Sequence, residues 1–483
     1  MSRVLSPLFF LILLFTLVTN LQAYDPAIST VVPRGGKIGS KVAVTFHGER
    51  IDEPQEVIFY RPGITTSELK RVDNKRIKGF FHIAADAPLG EHTFRVRTKK
   101  GVTYLRSFWV SPYPTVYEKS TRDEKRKKAI ETNDTFESPQ LVQLNTVIHG
   151  IARNEDADYY RFKGKKGQRV TAEVFGMRLG RVMFDPYLAI LDSNRFELKT
   201  CDDTILTKRD PFISLVLPED GDYTLLVRES SYQGRDASNY LLELSNAPRP
   251  TSVHPPVGSP GQTLELTFKG DAAGESKQTI TLPQDNGIHP LFAVAHGKTA
   301  PSANSILVSS LPLSKEIEPN NSPKEIKSPS SALPIALHGV LEIENDKDWF
   351  RFSAKKGQNI RAQVYARSLR SPLDAVVQVR PAQGKKALKT SDDEGNNPDS
   401  KLDFTVPHDG EYHIFIRDHL NRGGPDFTPT FSKSHKEVPP SAQSFPTQKT
   451  ITAKSTAPSL CHVATISPSS LMLPVKTQTA TSS

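Results

Sequence analysis

An all-β, multi-domain chain of tandem immunoglobulin-like and jelly-roll-like β-sandwiches is predicted by three features of the sequence. Apolar residues alternate with polar ones at period two, as at Val42, Val44 and Phe46, at Val170, Ala172 and Val174, and at Ile360, Ala362 and Val364. Turn residues interrupt these runs about every ten positions, and no stretch keeps helical spacing for three turns. The segment 131–246 is also written twice, its second copy lying at 316–428. Asp156-Ala157-Asp158-Tyr159-Tyr160-Arg161-Phe162 returns as Asp346-Lys347-Asp348-Trp349-Phe350-Arg351-Phe352, His149-Gly150 as His338-Gly339, and Lys165-Lys166-Gly167-Gln168 as Lys355-Lys356-Gly357-Gln358. Pro218-Glu219-Asp220-Gly221-Asp222-Tyr223 returns as Pro407-His408-Asp409-Gly410-Glu411-Tyr412. Duplication of a module this size points to an array and shifts the expectation from enzyme toward binding or accessory protein.

Taken in order, residues 1–23 read as a signal peptide: Arg3 is the positive start, Leu8 to Val18 the apolar core, and Leu21-Gln22-Ala23 the small-residue end before Tyr24. The apolar run is shorter than the ~20 residues of a spanning helix, and nothing later spans a bilayer, so the expected location is secreted, cell-surface or periplasmic. Residues 28–112 read as a small immunoglobulin-like sandwich, with turns at Pro33, Gly35-Gly36, Gly39, Pro62-Gly63 and Pro88-Leu89-Gly90 and a closing Phe108-Trp109-Val110. A charged linker follows at 113–130. Its basic run, Arg122 to Lys128, has no interleaved aromatics and reads as solvated chain rather than a polyanion groove, so no nucleic-acid partner is expected.

After the first large repeat, 250–312 reads as a degraded copy of the small sandwich. Pro255, Gly261, Leu264, Leu266, Phe268 and Gly270 match Pro33, Gly39, Val42, Val44, Phe46 and Gly48 at one constant offset. The second large repeat then occupies 316–428 with an incomplete last strand: Tyr240-Leu241-Leu242-Glu243-Leu244 is answered only by Phe427-Thr428-Pro429-Thr430-Phe431. The segment 429–483 has one acidic residue, Glu437, and no apolar period, so a disordered Ser/Thr/Pro-rich tail is expected. Two origins stand open for it: a shifted or truncated reading frame, which would leave the second repeat molten, or a genuine stalk. Two cysteines, Cys201 and Cys461, exclude a disulfide framework, and a net charge of +9 spread over 483 residues is modest.

Catalytic signatures are missing from the sequence: there is no Gly-x-Ser-x-Gly elbow, no His-Glu-x-x-His, no Cys/His metal spacing and no phosphate-cradling glycine loop. No enzyme is therefore expected. The chemical signal is oxygen-rich. Glu316, Glu318 and Asn320 precede Asp346 and Asp348 in the second repeat, and Glu131, Asn133 and Asp134 precede Asp156 and Asp158 in the first, where Ala129 stands at the place of Glu316. Calcium takes six to eight oxygens, and such a set supplies them by stapling a linker to a sandwich. The same residues also serve as plain turn and sheet-edge residues, and Asn133-Asp134-Thr135 and Asn320-Asn321-Ser322 satisfy the glycosylation sequon.

These motifs in combination resemble the bacterial pre-peptidase C-terminal (PPC) domain: a Glu-x-Asn-[Asn/Asp] opening, an Asp-x-Asp-[Tyr/Trp]-[Tyr/Phe]-x-Phe strand, a Lys-Gly-Gln turn and a late Pro-x-x-Gly-x-Tyr strand. The segment from Pro33 to Val110 resembles the TIG/IPT-like sandwich that accompanies such repeats in secreted proteins of the planctomycete type. The resemblance implies a jelly-roll-like sandwich attached to secreted peptidases, with relatives in collagenases that bind calcium and insoluble substrate. It implies calcium on Glu316, Glu318, Asn320, Asp346 and Asp348, and leaves only Glu131, Asn133, Asp134, Asp156 and Asp158 in the first repeat. The expected protein is a monomeric, non-catalytic binding module for an extracellular polymer, a cell-surface component or a secreted protein, with loop Tyr232 as a candidate contact. The alternatives are an accessory fragment of a secreted peptidase or other hydrolase, and a passive cell-surface spacer.

Overall fold

The computed structural model of the protein describes residues 25–123, 128–180, 183–384, 386–393, 395 and 399–432. The leader read at 1–23 and the tail from 433 onward, with Cys461, lie outside the described residues. The fold is all-β: the helices among the described residues are three-residue 3₁₀ turns at Met177–Leu179, Ile205–Thr207 and Arg367–Leu369. No helix among the described residues is long and apolar enough to cross a membrane. The chain divides into two compact units, one of residues 1–162, 174–186 and 224–244, the other of 163–173, 187–223 and 245–483.

In the first unit the small sandwich has a four-stranded sheet and a five-stranded one, whose fifth strand, Gly101–Val102, pairs with Gly90–Thr98 off the main path. One runs Ala27–Val32, Lys41–Glu49, Arg76–Ile83, Ile64–Arg71; the other runs Gly35–Lys37, Arg106–Ser111, Gly90–Thr98, Pro54–Phe59. Alternation along each strand sends Val44, Phe46, Ile77, Phe81, Phe94 and Phe108 into one core. There Phe81 meets Phe46, Phe94 and Phe108 edge to face at 5.0–5.9 Å, the geometry ring quadrupoles favour. The chain then enters the first large repeat through Thr115–Tyr117, which pairs in parallel with Thr146–Ile151; that strand pairs antiparallel with Asn239–Ser245, placing Gly150 opposite Tyr240. Between these entry strands stands a hairpin, Ser120–Asp123 with Lys128–Glu131, inside the segment read as a linker.

In the second unit the later small sandwich keeps two three-stranded sheets over Val253, Leu266, Phe268, Leu282 and Ile306. Its likeness to the first extends to backbone detail: Gly39 and Gly261 both turn at φ near +68° and +67°, a conformation costly for residues with a Cβ. The second large repeat is a two-sheet sandwich. One sheet runs Leu313–Lys315, Ala336–His338, Thr430–Ser432, Asn359–Tyr365, Lys401–Thr405; the other runs Asp348–Ala354, Gly410–Asp418, Ala375–Pro381, Lys389–Ser391. Its core holds Phe350, Phe352, Ile360, Val364, Val377, Tyr412, Ile414 and Ile416. The last strand is three residues long and fills the gap between Ala336–His338 and Asn359–Tyr365, just beyond the 428 limit read from sequence.

The repeated polar punctuation has a repeated job. Gln168 and Gln358 each accept the N–H of the lysine three residues back, at 3.0 and 2.7 Å, closing turns around Gly167 and Gly357 at φ +77° and +82°. Asp220 and Asp409 each accept a neighbouring lysine N–H at 2.7 Å, and Tyr223 and Tyr412 donate to the carbonyl four residues upstream. The glutamine bonds are the local kind that favours Gln and Gly in turns, whereas the aspartates tie each turn to a loop more than fifty residues further along.

Candidate metal centre

In the second repeat, Glu316 follows the entry strand, and its N–H donates to the His338 carbonyl at 3.0 Å. The next residue but one after His338, Val340, donates its N–H to Glu316 Oε1 at 2.6 Å. The carboxylate fits because Gly339 has no side chain: a Cβ there would land on Glu316 Oε2. Asn320 donates its N–H to Glu318 Oε2 at 3.0 Å and offers its carbonyl to Trp349 N–H at 3.0 Å, tying the incoming segment to the Asp348–Ala354 strand. That strand delivers Asp348, fully buried. Glu316, Glu318 and Asp348 thus bring a ligand oxygen each to within 4.8 Å of one another.

The electrostatics of this cluster are unfavourable as it stands. Glu316 Oε2 and both carboxylate oxygens of Asp348 are buried without a hydrogen-bond partner among the described residues. Burial, followed by the Glu316 charge, holds Asp348 well above the usual carboxylate range; burial also pushes Glu316 up to about 7 and raises Glu318. Buried carboxylates without donors are costly unless neutralised by a proton or a cation. A hard divalent cation that prefers oxygen fits this donor set, with Glu316, Glu318 and Asp348 holding it and the Asn320 amide beside them. Asp346, expected in the same set, is turned elsewhere: its two oxygens accept the N–H groups of Glu342 and Lys347 at 2.7 and 2.8 Å, shaping the loop that presents Asp348.

The first repeat has the same frame with different contents. Glu118 takes the place of Glu316: its N–H donates to the His149 carbonyl at 3.0 Å, and its Oε2 accepts from Ile151 N–H at 3.0 Å. The match of Glu316 to Ala129 is therefore corrected. The hairpin at residues 120–131 separates Glu118 from Asn133 and hides the correspondence. Asn133 and Asp158 lie in the centre and Asp156 shapes the loop, accepting Arg153 N–H at 2.9 Å; Asp134 is exposed, and the Glu131 side chain lies outside the described residues.

Asp158 is fully buried, and both its oxygens are used. Asn133 Nδ2 donates to Oδ1 at 3.0 Å and the Tyr240 hydroxyl donates to Oδ2 at 2.7 Å, with the Tyr160 hydroxyl 2.6 Å from that of Tyr240. Gly150 leaves the room for this ring, since a Cβ would collide with it. At the corresponding place of the second repeat stands Pro429, whose carbonyl accepts Gly339 N–H. Glu118, Tyr160 and Tyr240 were not singled out from the sequence. The available signal was the shared position of Glu118 and Glu316 just behind the entry strands, each directly after the residue in register with His149 or His338. The histidines serve by their backbone carbonyls. Tyr232 is 46% exposed, with the Arg228 guanidinium 4.5 Å from its ring centre.

No family model matches the chain. A stretch of 100 residues is 35% identical to a probable subtilase-type serine protease of Deinococcus radiodurans, covering 20% of this chain and 14% of the protease, so the chain spans about a seventh of that relative. Among solved structures, the pre-peptidase C-terminal domain of a Bacillus anthracis collagenase aligns over 97% of its length and 22% of this chain, at 16% identity and a TM-score of 0.18. The secreted serine protease VesC of Vibrio cholerae aligns over 48% of its length and 44% of this chain at 7% identity and TM-score 0.17. A Bacteroides ovatus mixed-linkage glucan-binding protein, SGBP-B, aligns over 75% of its length and 84% of this chain at 8% identity and TM-score 0.17.

Proposed function

We propose that the chain is a secreted, non-catalytic accessory protein of PPC-type and TIG/IPT-like modules, of the planctomycete type, whose second large repeat uses calcium to fix its entry segment. One observation carries this reading: Glu316, Glu318 and Asp348 converge from the entry segment and from the sandwich, and the buried oxygens of Asp348 have no donor. Calcium would supply the positive charge these oxygens lack. Glu316 and Glu318 anchor the chain before residue 320, Asp348 belongs to the core strand, and one ion bridging them removes freedom from the junction. A fixed junction suits a protein that presents sandwich surfaces to an extracellular polymer, a cell-surface component or a secreted protein. The likeness to part of a subtilase-type protease supports a second reading, an accessory module working beside a peptidase.

Calorimetric titration of calcium into the full chain, with Asp348→Asn as control, tests the proposal. Binding that the substitution abolishes supports it. No heat and no change in melting temperature in either protein removes the metal from the reading and leaves a passive spacer. Co-sedimentation with insoluble protein fibres and with insoluble polysaccharide, with and without calcium, then separates binding module from spacer.

A further inference from the structure

We infer that the first large repeat does without a cation because the Tyr240 hydroxyl occupies the place a cation would take, so that the chain carries one calcium-dependent and one self-sufficient copy of the same centre. The inference rests on the calcium reading of the second repeat only for the identity of the ion.

Three observations carry it. The frame is common to both repeats: a glutamate bonded through its N–H to a histidine carbonyl, an asparagine whose carbonyl accepts an N–H from the central strand, and a fully buried aspartate on that strand. The contents differ where the chain passes the glycine after the histidine: Tyr240 stands opposite Gly150, whereas Pro429, just before the last strand, accepts the Gly339 N–H. The donors differ accordingly. Asp158 receives Tyr240 at 2.7 Å and Asn133 at 3.0 Å, whereas Asp348 receives none among the described residues. A cation needs open coordination sites on its oxygens, and in the first repeat a neutral hydroxyl takes one oxygen and an amide the other. The ring that brings the hydroxyl is fully buried and stacks on Phe184, so it does not swing aside to admit an ion.

The test uses the full chain. Calcium is titrated calorimetrically, and melting is followed with and without calcium, for the natural sequence, for Asp348→Asn, and for Asp348→Asn combined with Tyr240→Ala or with the less disruptive Tyr240→Asn. The inference expects Asp348→Asn to bind no calcium. It expects the doubly substituted chains to regain one site, with a Kd on the order of 0.1–1 mM and a calcium-dependent rise in melting temperature that Asp158→Asn removes. Calcium bound by Asp348→Asn alone and lost on adding Asp158→Asn would overturn it, as would a folded Tyr240→Asn double variant that takes no calcium. The Asp348→Asn arm decides even where the Tyr240 variants fail to fold. A natural chain that binds no calcium would sink the reading of the second repeat, a result distinct from all of these.

Discussion

Two aspartates at equivalent positions of one duplicated module meet opposite fates. Asp158 accepts from a phenol and an amide, while Asp348 faces two glutamates and has no donor among the described residues. Backbone, burial and loop-shaping aspartates are alike in the two copies, so the difference lies in the donors that reach the buried aspartate, the Tyr240 hydroxyl and the Asn133 amide in the first copy and none among the described residues in the second. Duplication has preserved the frame and varied the way its charge is balanced. A buried carboxylate tolerates either a strong hydrogen-bond donor or a counter-ion, but not neither.

The strongest way to break this comparison is to fill the glycine slots. Gly150→Ala drives a methyl into the buried Tyr240 ring and is expected to cost about 3 kcal/mol, read as a lower denaturation midpoint at unchanged calcium stoichiometry. Gly339→Ala meets only the Glu316 carboxylate, the end of a flexible side chain, so its expected effect is lost calcium binding with a smaller loss of stability in the metal-free protein. Equal effects on both readouts would erase the distinction between the copies.

Acid should act on the histidines of the two copies alike. His149 and His338 are each pushed down to about 4, chiefly by burial, with Arg34 adding to the effect at His149 and Lys315 and His254 at His338. The unfolded chain takes up a proton near pH 6.5 and the folded one only near 4, so the unfolded state binds more protons in that window. The contribution of each histidine is therefore full above pH 6.5 and is lost as pH drops toward 4, by up to about 3 kcal/mol, while the raised Glu316 carboxyl acts in the opposite direction in the second repeat. Urea titrations from pH 7 to 4 should show a shallower loss in His149→Gln and in His338→Gln.

A subtler contrast is one of sign. Without calcium, Asp348→Asn relieves a buried carboxylate that lacks a donor and should raise stability by about 1 to 2 kcal/mol, whereas Asp158→Asn removes an acceptor for two donors and should lower it by a similar amount. Matching signs in the two chemical denaturation curves would mean that the centres do not differ as described. Smallest of all, Tyr232→Ala removes an exposed ring and its Arg228 contact, and is expected to change stability by ~0.5 kcal/mol or less. Weaker polymer co-sedimentation of that variant would show the loop acting as a contact surface.

Much of this was legible in the sequence. Period-two alternation reports directly on which side chains face a sheet's core, so Val42, Val44 and Phe46 or Ile360, Ala362 and Val364 place strands without ambiguity. Asp156 and Asp158, like Asp346 and Asp348, announce a loop followed by a central strand because their spacing is set by backbone turns. The cluster itself was only half legible. Asp346 looks like a ligand in sequence, but a carboxylate at a loop end is as readily spent on nearby N–H groups. Glu118 was masked by an insertion. Tyr240 was out of reach of local reasoning, since it approaches Asp158 from the far end of the module, and no periodicity encodes which strand will bring its side chain across.

That last separation bears on how the two modules come to completion. Tyr240 lies 82 residues beyond Asp158 in the chain, and contacts of such span form late because the intervening loop entropy must be overcome first. The polar centre of the first repeat is accordingly closed by the strand that finishes the domain, and a nascent chain released or cut before that strand would be left with an open acidic interior. Glu316, Glu318 and Asp348 lie early along their module, the last of them on a strand that pairs with Gly410–Asp418. The first repeat is thus closed by its own last strand, whereas the calcium proposed for the second would come from the surrounding fluid.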